Sequence, residues 1–118
     1  MSELRGVTPP NSVEAERSVL GAMLQDGNAV MQAAERLQPD DFYQPAHREL
    51  FDCMISLYRE QSPVDLVTTD SELSRRGTLE GIGGTAYLIE LSQYVPTTAN
   101  VKAYINLVAE EMLVQKKY

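Results

Sequence analysis

The stretch Gly83–Tyr118, GGTAYLIELSQYVPTTANVKAYINLVAEEMLVQKKY, decides the fold predicted for this chain. Two glycines open an apolar arm that runs from about Thr85 to Val95. The chain then turns at Val95-Pro96-Thr97-Thr98 and returns as a longer helical arm. At 1.5 Å per residue, arms of about 11 and 21 residues span roughly 16 and 31 Å, so the second arm extends beyond the first. The pattern predicts an unequal α-helical hairpin.

Apolar side chains recur on two sides of the longer arm, which is more than one packing partner needs. One stripe, together with two residues of the shorter arm, is the predicted self-association surface: Leu88, Leu91, Val101, Tyr104, Ile105, Val108 and Met112. The second stripe consists of Ala103, Leu107, Val114 and Tyr118. The shorter arm is apolar nearly all round, which indicates that more than one side is covered. We therefore expect two copies to pair through the hairpin. The alternatives are that the N-terminal helices fold back over the part of the long arm that overhangs beyond about Ala109, or that this end frays.

The rest of the chain predicts a helical globule. Residues 1–10 have no periodicity and are expected to form a flexible arm, residues 11–80 a globular subdomain, and residues 81–118 the hairpin, all within a single domain. Asn11 is a predicted N-cap, Asp65 a second one, and Gly77 a left-handed helix end. Pro45 suits the first position of a central helix, whose apolar stripe is Leu50, Phe51, Met54, Ile55, Leu57 and Tyr58.

Strand signals are weak throughout. The ambiguous stretch is Val64–Thr69, and no segment combines alternation with enrichment in β-branched residues. Leu79–Gly84 is predicted to be a loop. The fold class predicted from the sequence is therefore all-α.

Composition limits the functional classes. The 118 residues carry 10 basic and 17 acidic side chains, a net charge of −7, so the basic footprint of a phosphate-binding protein is missing overall. Cys53 is the single cysteine, which fits a reducing compartment and a buried, inert thiol. No apolar run approaches the length of a membrane span.

No catalytic, cofactor or metal site is predicted. Gly81–Gly84 follows no strand and lacks the Lys-Ser or Lys-Thr of a nucleotide-binding loop. Asp40, Asp41 and His47 make a poor ligand set, because adjacent acids in a turn point in different directions. We expect one of the two acids to cap a turn and His47 to lie in the first turn of the central helix. Arg75 and Arg76 suit a helix C-terminus, with contact to an acidic partner as the alternative.

A family resemblance rests on short motifs that follow one another in order: Pro9–Glu16, Val19–Ala22, Asp41–Tyr43, Ala46-His47, Pro63–Thr68, Gly83–Leu88 and Val95–Val101. Together they resemble the N-terminal domain of the bacterial replicative DNA helicase (DnaB family).

The resemblance implies a helical globule with a hairpin, joined in the whole protein to an ATP-driven motor that uses ATP and Mg²⁺. In the family, hairpins pair into dimers, and three dimers form the N-terminal collar of a hexameric ring around single-stranded DNA. The collar docks primase, with Tyr87 at a position associated with that contact, and a helicase loader is a further implied partner. The bacterial cytoplasm is the implied location. No catalysis is expected from this fragment, since no motor sequence is present.

Two other classes stay open at this point. One is a nucleic-acid-binding helical module, which the net charge disfavours. The other is a small hydrolytic or metal enzyme that uses Asp40, Asp41 and His47.

Overall fold

The computed structural model describes the backbone of residues 10–94 and 100–116 and the side chains of residues 13–94 and 100–110, and within these ranges it contains seven α-helices and a short 3-10 turn after α2. The helices are α1 (Pro10–Gln25), α2 (Gly27–Arg36), α3 (Pro45–Arg59), α4 (Leu66–Arg76), α5 (Leu79–Ile82), α6 (Gly84–Ser92) and α7 (Val101–Lys116), and the 3-10 turn is Pro39–Asp41. The described ranges contain no strand. The all-α prediction is confirmed.

Local sequence signals set most helix boundaries. Asp65 caps α4 through a hydrogen bond from the Thr68 amide at 2.9 Å, and the Thr68 hydroxyl in turn accepts from the Asp65 amide. Gly77 ends that helix with φ of 78°, in the left-handed region that glycine tolerates. Both assignments match the prediction, and they resolve the ambiguous stretch Val64–Thr69 as the start of a helix.

Two boundaries differ from the prediction. α1 begins at Pro10, so Asn11 lies inside the helix and is not its N-cap. Proline suits a first helical position, because the amide proton that it lacks would have had no partner there. The predicted loop Leu79–Gly84 contains the short helix α5. Two consecutive glycines with positive φ, Gly83 and Gly84, follow the last residue of this helix.

The core forms where α3 packs against α1, α2, α4 and α5. The apolar stripe of α3 is buried as predicted, except for Tyr58, which is 38% exposed. The rings of Phe42 and Phe51 pack with their centroids 4.8 Å apart. Cys53 is buried on the same helix, and burial raises the pKa of its thiol to about 12, so the thiol stays protonated and inert at neutral pH.

The largest departure from the prediction concerns α6 and α7. α7 packs along α1 and α2, whereas α6 packs on α1, α4 and α5. The two helices therefore do not form a hairpin whose arms lie against each other over the described residues. The predicted turn at residues 95–98 and the overhanging side chains from Met112 onward lie outside the described residues. N-terminal helices α1 and α2 cover residues 101–108, whereas the alternative considered above concerned the overhang beyond Ala109, whose side chains from residue 111 onward lie outside the described residues.

Among the described residues, no helix has both the length and the apolarity that crossing a lipid bilayer requires.

Candidate interaction site

Tyr87 lies on α6, the helix that follows the glycine pair. Gly83 has φ of 116° and Gly84 φ of 77°, both in the region that side chains disfavour. A methyl group added to Gly83 would lie 2.8 Å from Cβ of Tyr87. The glycine pair therefore does two things at once: it permits the sharp entry into α6, and at Gly83 it leaves room for the tyrosine.

The Tyr87 side chain reaches inward to α3. Its hydroxyl lies 2.6 Å from Nε2 of His47, and the two rings lie nearly parallel, 9° apart, with centroids 5.9 Å from each other. His47 is 2% exposed. The predicted contact residue is thus bound to the core through its polar end.

Glu16 of α1 completes this buried chain of hydrogen bonds. Its carboxylate accepts from Nδ1 of His47 at 2.7 Å and from the main-chain amides of Tyr43 at 2.5 Å and Gln44 at 3.4 Å. Because the carboxylate accepts, Nδ1 of His47 donates to it, and Nε2 on the other side of the ring faces the Tyr87 hydroxyl. A carboxylate that is only 2% exposed is stable here because each of its bonds comes from a donor.

Arg17 borders the same chain of contacts. Its guanidinium carbon lies 5.9 Å from the centre of the Tyr94 ring. Burial raises the pKa of the Tyr87 hydroxyl, and the neighbouring Arg17 offsets part of the rise. Tyr87 therefore remains a protonated donor at neutral pH.

The sequence did not predict this cluster. The sequence analysis assigned no structural role to Glu16. A signal was present, however: Glu16 lies three and four residues before Val19 and Leu20, on the apolar side of α1. A charged residue in such a stripe indicates a buried polar partner.

The residues considered for a metal site are used in other ways. Asp41 accepts from the Gln38 amide at 2.7 Å, which closes the 3-10 turn as predicted for one of the two acids. Asp40 is exposed, and both ring nitrogens of His47 have partners. Within the described ranges, no three acidic, histidine or cysteine side chains lie close enough to hold a metal ion.

Arg76 also has internal partners. Its guanidinium contacts Asp52 at 3.0 Å, Glu49 at 3.1 Å and Glu72 at 3.2 Å, and it donates to the Ser56 hydroxyl at 3.0 Å. These contacts join the end of α4 to α3. The alternative of an acidic partner chain is therefore not needed to explain Arg76.

Five of the seven predicted self-association residues are core residues of the single chain. Their exposed fractions are 0% for Leu88 and Leu91, 3% for Val101, 1% for Ile105 and 2% for Val108. A surface that joins two chains has to be accessible in each of them, so these five do not supply it in this conformation. Tyr104 is partly buried, and the Met112 side chain lies outside the described residues.

α6 is covered on one side only, contrary to the prediction for the shorter arm. Its exposed residues share one face: Thr85, Ala86, Ile89, Glu90 and Gln93. We call this the outward face of α6. Ile89 is 42% exposed at its centre, and at 100° per residue it points about 160° away from Tyr87. The centre of the outward face and Tyr87 therefore lie on opposite sides of the helix, and Glu90 lies at the edge of the face that is nearest to Tyr87.

The described residues form an all-α domain that carries these motifs in order. Residues 8–110 match the family model described as DnaB-like helicase N terminal domain. The chain belongs to that family, and the resemblance found in the sequence is confirmed.

Known relatives agree with this assignment. The replicative DNA helicase DnaB of Mycobacterium leprae is 45% identical over 115 residues, 98% of this chain and 19% of that protein. The one from Geobacillus stearothermophilus is 45% identical over 108 residues, 92% of this chain and 24% of that protein. The chain thus spans about a fifth to a quarter of these relatives.

A solved structure shows the same fold. The crystal structure of the N-terminal domain of DnaB helicase from Mycobacterium tuberculosis superposes with a TM-score of 0.86 at 46% identity. The match covers 89% of this chain and 76% of that one. The chain is therefore an N-terminal domain of the replicative helicase type.

Proposed function

We propose that this domain is an assembly module of a bacterial, cytoplasmic replicative helicase. It pairs with a second copy, the pairs build the N-terminal collar of a hexameric ring around single-stranded DNA, and the collar docks primase. Catalysis belongs to the motor part of the whole protein, which would bind ATP and Mg²⁺. A helicase loader is a further proposed partner.

The pairing proposal is supported by the different environments of the two stripes of α7, since one stripe is buried within the chain and the other is exposed to solvent. Val101, Ile105 and Val108 are sheltered by the chain's own α1 and α2. Ala103 is exposed and Leu107 is partly exposed on the other side of the helix. We therefore assign self-association to this second stripe, with Tyr104 at its edge, in place of the stripe that the sequence favoured.

Val114 and Tyr118 continue the spacing of Ala103 and Leu107 along the sequence. A longer α7 in the parent protein would extend the same stripe, which would enlarge the apolar area shared by two copies. Apolar burial contributes about 25 cal/mol per Å², so the length of the stripe determines how stable the pair is.

Two measurements test the proposal separately. The mass of the chain in solution at tens of micromolar tests pairing: a dimer is expected, and a monomer over the whole range contradicts it. Calorimetric titration with the helicase-binding domain of the cognate primase tests docking. Measurable binding is expected there, and no binding at tens of micromolar removes the docking proposal while leaving pairing intact.

Nothing in the described structure favours the nucleic-acid-binding alternative. The net charge of −7 opposes it, and the arginine with the most ionic contacts, Arg76, is neutralised by neighbouring carboxylates.

A further inference from the structure

The geometry points to a division of roles on α6: its outward face docks the partner, and Tyr87 is a positioning residue that fixes this face from behind without contacting the partner. This inference rests on the proposed docking of primase. It specifies which surface is used, what chemistry the partner segment has, and how Tyr87 acts.

The first step concerns what Tyr87 can reach. Its hydroxyl is 2.6 Å from His47 on α3, the two rings are nearly parallel and meet end to end, and Arg17 of α1 lies beside the hydroxyl. The hydroxyl is thus already engaged by groups of the domain itself, on a residue that is half-buried. A partner that used this hydroxyl would first have to break this internal contact.

The second step concerns what holds α6 in place. Tyr87 is connected through His47 to Glu16, which also fixes the main chain at Tyr43 and Gln44. The tilt and register of α6 therefore depend on one continuous series of hydrogen bonds that reaches α1. At the C-terminal end of the helix, Gln25 of α1 donates to the Ser92 carbonyl at 2.6 Å.

The third step concerns the chemistry of the outward face. Ile89 is 42% exposed, and Ala86, three residues before it, is its exposed apolar neighbour on this face. Acidic residues border this apolar centre: Glu90 on the face itself, Glu80 near Gly84 at the start of α6, and Asp70, which accepts a hydrogen bond from Thr85. The complementary partner segment presents an apolar side chain flanked by lysine or arginine.

The test titrates the cognate primase helicase-binding domain into the chain by calorimetry, at a temperature well below the unfolding midpoint of every variant. Tyr87→Phe keeps the ring and removes only the hydroxyl, His47→Leu removes the hydrogen-bond partner of that hydroxyl, and the double variant closes a thermodynamic cycle. Ile89→Ala truncates the outward face. Val67→Ala is the control, because Val67 is 74% exposed on α4.

We expect Tyr87→Phe and His47→Leu each to weaken binding about fivefold, the equivalent of one net hydrogen bond, and the double variant to be no weaker than either single one. Ile89→Ala weakens binding about tenfold, as for a central contact residue. Val67→Ala has no effect. Affinity falls as salt rises, and Glu90→Gln reduces that salt dependence.

Several results would overturn the inference. An unchanged dissociation constant for Tyr87→Phe with a lowered unfolding midpoint would show that the residue only stabilises the fold. Full additivity of Tyr87→Phe and His47→Leu would show that the tyrosine acts by its own contact with the partner. Binding by the wild type that is insensitive to Ile89→Ala would exclude the outward face while leaving docking itself intact. No binding by the wild type would overturn both this inference and the docking proposal.

Discussion

His47 and Tyr87 lie 40 residues apart in the sequence, yet Nε2 of one is 2.6 Å from the hydroxyl of the other. Through His47 the contact extends to Glu16, so three helices meet at a single buried polar chain. A buried chain of this kind fixes a geometry only when every member has a partner, and here each of the three does.

Removing the carboxylate at the end of that chain should be costly. Glu16→Ala leaves His47 Nδ1 and two main-chain amides without their acceptor, so we expect the free energy of unfolding to fall by about 3 kcal/mol. Glu14→Ala, two residues earlier at an exposed position, should change it by less than about 0.5 kcal/mol. Urea unfolding of both variants measures the difference. Equal stabilities would mean that the Glu16 contacts contribute nothing.

Alanine substitutions at two neighbouring glycines, Gly83 and Gly81, give a second matched comparison of stability. Gly83→Ala places a methyl group 2.8 Å from the Tyr87 Cβ at φ of 116°, so we expect a loss of about 1–3 kcal/mol. Gly81→Ala adds a methyl group with no atom within 4 Å, inside the short helix α5, and should be neutral or slightly stabilising. Thermal unfolding of the two variants measures the difference in stability between them. Equal melting temperatures would contradict the described entry into α6.

The two sides of α7 should respond differently to the same substitution. Ile105→Asp buries an unpaired charge at a site that is 1% exposed, so the domain should lose about 4 kcal/mol or unfold. Ala103→Asp, at an exposed position of the same helix, should keep the circular dichroism spectrum and the melting temperature within a few degrees. A folded Ile105→Asp chain of normal stability would show that α7 is not docked on α1 and α2.

The loss of folding stability at low pH should come in part from the ion pairs at the C-terminal end of α4. The hydrogen bond from Arg75, with a further one from Arg76, lowers the pKa of Glu72 from 4.5 to about 2. A carboxylate with a depressed pKa stabilises the folded state above pH 4.5, and this contribution is lost as the pH falls towards 2. Glu72→Gln should therefore flatten the dependence of stability on pH in that window. An unchanged dependence would mean that the ion pairs do not persist in solution.

Local features of the fold were predictable from the sequence, because they depend on neighbours along the chain. The Asp65 cap, the Gly77 terminus and the apolar stripe of α3 each follow from spacing within a single helix. The short helix α5 was missed, because four residues are too few to show a helical period.

Long-range features were not predictable in the same way. The sequence shows that α7 has two apolar stripes, but it does not say whether α6, α1 or a second chain covers them. A hairpin was expected because a turn sequence joins two apolar arms, and over the described residues α7 packs against α1 and α2 instead. The contact between Glu16 and His47 spans 31 residues, so only the folded chain brings them together.

Sedimentation equilibrium tests most directly whether the exposed stripe of α7 joins two copies, when the wild type is compared with the Ala103→Asp variant. Ser71→Asp, exposed on α4, is the control for added charge. The account predicts a wild-type mass near twice 13.1 kDa at tens of micromolar, the same mass for Ser71→Asp, and a folded monomer for Ala103→Asp. A wild-type monomer, or a dimer that Ala103→Asp leaves unchanged, would contradict it.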